Sequence, residues 1–337
     1  MRRLVTRTAV VALLTLIALV PLRPATGQEP SMPVGCGELS FSTEEDFITH
    51  GLRPPDGNPY ISNGDLLGRN CLLCARNVDL LMQLDVAVDL GLDASDVIDP
   101  ELFLAAFSTE LDSPHGDQFT AGDLLTTRGA IVPNVTLTDK FQVGYDIGLD
   151  GLHFVGEHDS IVGFLEEIEQ YTRDYWLQNP TVLAQILNRR EVDIWFSTEG
   201  TWMPAGAAGF LDGDVLSARD GVVVAHIADL LPGDVPAGIP NRGVDFGLDA
   251  LTGERNETSD GIRFSTEILY QNELSFTDGD VLRAGNGVSH SNLFLIGCFE
   301  PKADFLGLDA FHMMVLEDLT ESLYLPVVLK GFRQMIR

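Results

Sequence analysis

The sequence predicts an all-β protein: a four-repeat β-propeller closed by pairing of its N-terminal and C-terminal strands, with a helical hairpin inserted. Phe-Ser-Thr-Glu occurs four times, and each copy is followed by Gly-Asp-Leu/Val-Leu and then by Gly-Leu-Asp. The order of the three motifs never changes, which is typical of repeat architectures. The alternative is two β-sandwich domains of two repeats each, divided at the helical insertion.

Four repeats of similar length account for most of the chain. We place them at about residues 38–94, 102–151, 192–250 and 261–315 of a domain covering 28–322. Each repeat holds about four short segments rich in β-forming residues, including a third strand at 292–296, and four strands make one propeller blade.

The third repeat is preceded by a segment with a different periodicity, at about residues 152–191. Apolar residues recur there at helical spacing. Asn179 and Pro180 then form a helix-start signal before a second apolar series. The segment is therefore predicted to be a helical hairpin.

The two ends of the repeat region complement each other. The first copy begins with a Phe-Ser-Thr-Glu strand and lacks a leading Gly-Leu-Asp strand. The last copy ends with a Gly-Leu-Asp strand that no Phe-Ser-Thr-Glu strand follows. Pairing these strands would close the repeat array and cover two sheet edges that would otherwise risk aggregation.

The first 27 residues have the features of a bacterial export signal. A basic start precedes an apolar run at 8–20, and small residues then mark a cleavage site before Gln28. No membrane span is expected after signal removal, because the apolar part of the 323–337 tail is too short. We therefore expect a secreted or cell-surface protein.

Four cysteines are present, and an even number in an oxidising compartment predicts two disulfides. Their pairing stays open, since four cysteines allow three connectivities. The cysteines are Cys36, Cys71, Cys74 and Cys298.

The formal net charge is −29, which excludes nucleic acid as a partner and favours divalent cations. No conventional catalytic motif is present. The recurrence of the same motifs in all four copies favours a non-enzymatic binding or scaffold module with a protein or glycan ligand, since an enzyme site usually breaks such symmetry. The alternative is a secreted carboxylate-based hydrolase or lyase acting on glycans.

The motif order resembles that of hemopexin-like four-bladed propellers, in which an inner strand carrying Asp-Ala is followed by an aromatic strand. Leu-Asp-Ala stands at 92–94, 248–250 and 308–310, while 149–151 reads Leu-Asp-Gly. The aromatic pair of that family's third strand is missing. The resemblance is architectural, and it implies ions in a central tunnel near these aspartates.

The aspartates of the four Gly-Leu-Asp motifs are candidate metal ligands. In a four-fold arrangement they would face one another, and such carboxylates need a cation or raised pKa values. Calcium is the expected ion, because it prefers oxygen ligands and is abundant outside cells. The alternative is that each aspartate caps a turn. The candidates are Asp93, Asp150, Asp249 and Asp309.

Aromatic side chains in two regions are candidate ligand contacts. Tyr60, Trp202 and Tyr270 lie in loops of variable length, where binding residues are often found. A second group lies in the helical insertion, where packing onto the β domain is the alternative role: Tyr171, Tyr175 and Trp176.

Overall fold

A computed structural model describes residues 31–205, 208–239, 243–256, 259–272 and 274–314 of the 337-residue chain. The predicted signal peptide at 1–27 and the tail at 323–337 lie outside the described residues. The described chain folds into several antiparallel sheets of short strands, which confirms the all-β prediction.

Within the described residues, the fold contains four sheets of four strands and one sheet of two strands. Sheet 1 has the strand order β18-β1-β4-β5, and sheets 2, 3 and 4 take β6–β9, β10–β13 and β14–β17 in sequence order. The strands are β1 (Leu39–Phe41), β2 (Phe47–Ile48), β3 (Tyr60–Ile61), β4 (Leu66–Gly68), β5 (Leu72–Ala75), β6 (Ser95–Asp99), β7 (Leu104–Phe107), β8 (Leu124–Thr126), β9 (Ile131–Val132), β10 (Leu152–Val155), β11 (Asp193–Phe196), β12 (Val215–Ser217), β13 (Val223–Ala225), β14 (Ala250–Thr252), β15 (Arg263–Ser265), β16 (Val281–Arg283), β17 (Gly287–His290) and β18 (Phe311–Met313).

Sheet 1 joins the two ends of the described chain. Leu39 pairs with Met313 and Phe41 pairs with Phe311, in antiparallel register. The predicted pairing of the N-terminal and C-terminal strands is therefore confirmed, and the β1 edge is covered.

The first strands of the four sheets contact one another in cyclic order. Strand β6 contacts β10, β10 contacts β14, β14 contacts β18, and β18 contacts β6. The apolar core is divided accordingly into four clusters, one between each pair of consecutive sheets. Strands β6, β7, β10 and β11 are buried along nearly their whole length, because neighbouring sheets cover both of their faces.

The insertion contains three helices between β10 and β11, one more than the predicted hairpin. The break comes at Thr172, whose side chain accepts a hydrogen bond from the Tyr175 backbone N–H and caps the second helix. The predicted strand at 292–296 is also wrong, because this segment is a short helix. The helices are α1 (Gly35–Glu38), α2 (Asn77–Leu80), α3 (Asn134–Leu137), α4 (His158–Ile168), α5 (Arg173–Gln178), α6 (Val182–Arg190), α7 (Ile227–Leu230) and α8 (Asn292–Ile296), with 3₁₀ turns at Arg69–Cys71, Met82–Leu84, Asp139–Phe141, Ser259–Gly261 and Gly297–Phe299.

Two disulfides are present, as predicted, and the structure fixes their pairing. Cys36 is bonded to Cys74, and Cys71 is bonded to Cys298. The second bond closes a loop of 227 residues, for which the loop-entropy model gives roughly 5 kcal/mol of stabilisation. Among the described residues, no helix combines the length and apolar character needed for a membrane crossing.

The Phe-Ser-Thr-Glu motif links each sheet to the next. Its serine hydroxyl donates a hydrogen bond to the leucine carbonyl of the following sheet's Gly-Leu-Asp, and the fourth bond returns to sheet 1. Its threonine hydroxyl donates to the carbonyl two residues ahead, which fixes the turn after the strand. The serine bonds are Ser42 to Leu92 (3.1 Å), Ser108 to Leu149 (2.8 Å), Ser197 to Leu248 (3.0 Å) and Ser265 to Leu308 (3.0 Å).

Candidate functional site

Eight carboxyl groups gather where the first strands begin. We call this group the acidic cluster; it consists of the four Gly-Leu-Asp aspartates and the four Phe-Ser-Thr-Glu glutamates. Asp150 and Asp309 are 4% and 8% exposed, whereas the glutamates lie further out and are exposed. The members are Asp93, Asp150, Asp249, Asp309, Glu44, Glu110, Glu199 and Glu267.

The glycine of each Gly-Leu-Asp motif leaves room for a glutamate side chain of the acidic cluster. The Glu267 side chain lies over Gly247, and a Cβ atom on that glycine would fall 2.2 Å from the Glu267 Cδ atom. Gly247 also has a φ of +64°, a conformation that glycine adopts without strain. The same packing recurs between Gly91 and Glu110 and in the other two sheets, which explains why Gly-Leu-Asp begins with glycine.

The carboxylate oxygens of neighbouring sheets lie close together. One ligand atom each from Asp93, Asp150 and Glu199 lies within 4.8 Å of the others, and the same holds for Asp150, Asp249 and Glu267. Asp150 thus belongs to both groups. The Oδ2 atoms of all four aspartates are buried and have no hydrogen-bond partner among the described residues. An all-oxygen set of this kind suits a hard divalent cation.

The electrostatics of the acidic cluster oppose ionisation. Burial raises the pKa of each of the four aspartates well above its usual value, and the neighbouring carboxylates raise it further. Desolvation, followed by the charges of Asp278 and Glu45, raises the pKa of Glu44 to about 7. A bound cation would reverse these shifts, because it favours the charged form of each carboxyl group.

Recurrence alone does not identify a functional carboxylate. A second series, Asp65, Asp123, Asp214 and Asp280, also occurs once per sheet. In the first sheet, Asp65 accepts hydrogen bonds from the backbone N–H groups of Ser62 and Asn77. The other three accept the equivalent pairs of bonds, so these side chains join a turn to the short helix that follows.

The aromatic residues of the insertion pack together. Trp176 is 0% exposed, so the prediction that it contributes to an open ligand surface is wrong. Tyr171 and Tyr175 stack with ring centroids 4.7 Å apart, and both are partly buried against the same core cluster. Packing onto the β domain is therefore the observed role of these three residues.

The loop aromatics occupy different environments. Tyr60 is exposed and its hydroxyl donates a hydrogen bond to Asp46, whereas Tyr270 packs against Phe246 and Phe276. Trp202 makes an edge contact with Tyr145, with centroids 5.8 Å apart.

A groove of about 530 Å³ is lined by Tyr145 together with three acidic side chains. Asp112, Asp146 and Glu199 supply carboxylates to it, and Glu199 also belongs to the acidic cluster. The groove therefore places an exposed aromatic ring beside the carboxylates, and Trp202 supports that ring from the side.

A second polar group lies about 10 Å further along the first strands, and three of its four residues stand three positions after a Gly-Leu-Asp aspartate. We call it the Asp96 cluster; it consists of Asp96, His153, Arg255 and His312, one residue from each sheet or the loop after it. Asp96 is 0% exposed, and the Arg255 guanidinium lies 3.1 and 3.3 Å from its two oxygens. His312 Nδ1 lies 2.6 Å from Asp96 Oδ1, and His153 Nδ1 lies 3.5 Å from Oδ2.

The Asp96 cluster keeps its carboxylate charged. Burial by itself would raise the pKa of Asp96, but the Arg255 charge and the two histidines outweigh it and hold that pKa well below its usual range. Sequence reasoning missed this cluster because it follows no motif and differs from sheet to sheet. Aligning the repeats on Gly-Leu-Asp would have placed Asp96, His153 and His312 at one position.

Comparisons with known proteins identify no relative of this chain. No family model matches it, and neither a curated protein nor a solved structure shows significant similarity. The resemblance to hemopexin-like propellers accordingly stays a prediction from the order of the motifs.

Proposed function

We propose that this chain is an exported four-bladed β-propeller whose acidic cluster holds a divalent cation, most naturally calcium, and which acts as a binding or scaffold module outside the cell. Each four-stranded sheet would be one blade. The cyclic contacts of the first strands, the cyclic serine bonds and the β1–β18 pairing support this arrangement.

One observation carries the cation proposal: each of the four aspartates of the acidic cluster has a buried Oδ2 atom without a hydrogen-bond partner among the described residues. Buried carboxylates are normally hydrogen-bonded or paired with a charge. The structure provides partners for the recurring Asp65 series and not for these atoms. A cation bound between Asp93, Asp150 and Glu199 would provide a partner for the first two aspartates, and one bound between Asp150, Asp249 and Glu267 would provide a partner for Asp249.

The binding role rests on the groove beside the acidic cluster. Exposed Tyr145, backed by Trp202, offers an aromatic face, and the carboxylates next to it can accept hydrogen bonds from hydroxyl or amino groups. A glycan or a basic protein segment matches both features. Export is supported by the two disulfides, which form and persist in oxidising compartments.

Thermal melting during a calcium titration tests the cation proposal. A ligand that binds only the folded state stabilises it by about 2.7 kcal/mol at a hundredfold excess over Kd. We expect Tm to rise by roughly 5–10 °C at saturating calcium. An unchanged Tm at millimolar calcium, against sodium chloride of equal ionic strength, would refute the proposal.

Two aspartate variants test whether calcium binds at the acidic cluster. Asp150→Asn should abolish the calcium response because Asp150 belongs to both ligand groups. Without calcium, the same variant should melt above the wild type, since one repelling carboxylate is gone. Asp159→Asn changes a fully exposed carboxylate and should respond to calcium like the wild type. A normal calcium response in Asp150→Asn would place the ion elsewhere.

A secreted carboxylate-based hydrolase or lyase acting on glycans is the second candidate function. The raised pKa of Glu44, about 7, favours it, because a general acid must be protonated near neutral pH. Release of reducing ends from a polysaccharide panel would support this candidate if Glu44→Gln abolished it. The fourfold recurrence of the acidic cluster favours the binding role instead.

A further inference from the structure

A cavity of about 380 Å³ lies beside the Asp96 cluster, at the C-terminal ends of the first strands. Its lining comes from sheets 1, 2, 3 and 4 and from the start of α4. The volume lies within the range of small-molecule sites. The acidic cluster takes no part in this lining, so the cavity is separate from the proposed cation site.

His153 gives the cavity an unused polar group. This side chain is 1% exposed, and its Nε2 atom has no hydrogen-bond partner among the described residues. Nδ1 makes no hydrogen bond within the described residues either, but it lies 3.5 Å from Asp96 Oδ2. The nearby carboxylate favours the tautomer with the N–H on Nδ1 and the lone pair on Nε2. Burial lowers the pKa of His153, with Asp96 opposing the shift, so the imidazole is neutral at physiological pH.

Gly253 leaves space next to this atom. A Cβ atom on Gly253 would lie 3.4 Å from His153 Cδ2 and 3.5 Å from Nε2, which is ordinary van der Waals contact. Glycine therefore leaves open a position where one atom of a ligand can lie over the Cδ2–Nε2 edge. Both residues line the cavity.

The remaining walls define the chemistry of the occupant. Ile98, Met313 and Met314 supply apolar surface, and methionine adapts to ligands of different shape. The Arg255 guanidinium is engaged by Asp96 and by the Phe154 carbonyl. Arg255 therefore does not provide the cavity with a charge that would bind an anionic ligand.

We infer that this cavity binds a small, uncharged, mainly apolar molecule that carries a hydroxyl or N–H group and donates a hydrogen bond to His153 Nε2. Asp96 acts as the positioning residue, since it holds the imidazole in the tautomer that accepts. Glu157 and Glu254, which also line the cavity, disfavour anions.

A matched pair of probes tests the inference in the full chain, with EDTA present to remove calcium. p-Cresol and toluene share an apolar body, and p-cresol alone has a hydroxyl donor. We expect p-cresol to bind with a Kd about tenfold below that of toluene, the effect of one hydrogen bond. The ¹⁵N resonance of His153 Nε2 should shift with p-cresol only. Equal affinities, or no binding of p-cresol at millimolar concentration, would overturn the inference.

Gly253→Ala is the steric test. The added methyl group occupies the space over Nε2 in ordinary contact, so we expect unchanged Tm and at least a tenfold loss of p-cresol affinity. Gly144→Ala is the control, because a Cβ atom there meets no other atom within 4 Å. If Gly253→Ala binds p-cresol as tightly as Gly144→Ala does, the ligand does not reach His153 and the inference fails.

Discussion

The acidic cluster and the Asp96 cluster use the same residue type in opposite ways. Asp150 faces carboxylates from the neighbouring sheets, so burial and repulsion both raise its pKa. Asp96 is equally buried but faces Arg255 and two histidines, so its pKa is lowered. Burial alone therefore does not decide the charge of an aspartate; the partner supplied by the next sheet does.

The largest expected difference comes from the same substitution, aspartate to asparagine, made in each cluster. Asp96→Asn should lower the free energy of unfolding by about 3–5 kcal/mol, because the Arg255 charge loses its buried partner. Asp150→Asn in calcium-free buffer should instead raise it. Urea denaturation of both variants at pH 7 measures the two changes. Equal losses in the two variants would contradict the electrostatic contrast.

Glycine substitution measures how tightly the acidic cluster is built. Gly247→Ala should cost about 2 kcal/mol, because it combines a positive φ with displacement of Glu267. Gly57→Ala has a similar positive φ, +79°, but its Cβ atom would meet nothing within 4 Å. That control should cost about 1 kcal/mol. Identical losses would show that the glutamate contact contributes nothing to stability.

The pH dependence of stability is the smallest and most general test. In the acidic cluster the folded state holds protons that the unfolded state releases, so calcium-free stability should fall as the pH rises from about 4.5 through 7, the value to which the pKa of Glu44 is raised. Calcium should flatten this fall, because it binds the ionised carboxylates.

The Asp96 cluster contributes the opposite slope. The lowered pKa values of Asp96 and His153 give stability that is present at neutral pH. The histidine contribution is lost as the pH falls below 6.5, and the aspartate contribution is lost as the pH falls below 3.8. Urea denaturation from pH 3 to 8, with EDTA or with calcium, separates the two contributions. Calcium-free stability that rises from pH 6.5 to 8, above the range of the histidine contribution, would contradict the proposed repulsion.

Features that recur in every repeat could be predicted from the sequence. Phe-Ser-Thr-Glu and Gly-Leu-Asp recur because each sheet makes the same contacts with the next. The pairing of the end strands followed from the order of these motifs, and the number of disulfides followed from an even cysteine count.

Two features that depend on contacts between residues far apart in the sequence could not be predicted. The segment at 292–296 is rich in β-forming residues, yet the Asn292 amide donates to the Gly279 and Leu306 carbonyls and starts a helix. The side-chain amides of Asn77 and Asn134 make equivalent bonds to backbone carbonyls, so this contact recurs in three of the sheets. The Asp96 cluster was missed for a related reason, because each sheet contributes a different residue to it.

The shared first sheet has a consequence for how the polypeptide acquires its shape. Strand β1 is made early in synthesis, but its partner β18 leaves the ribosome some 270 residues later. Until then, one flank of β1 is an open template for other chains. Completion of the fold is thus postponed until the whole repeat region is available. A nonsense mutation ahead of Phe311 would remove the strand that pairs with β1 and contacts β6 and β14.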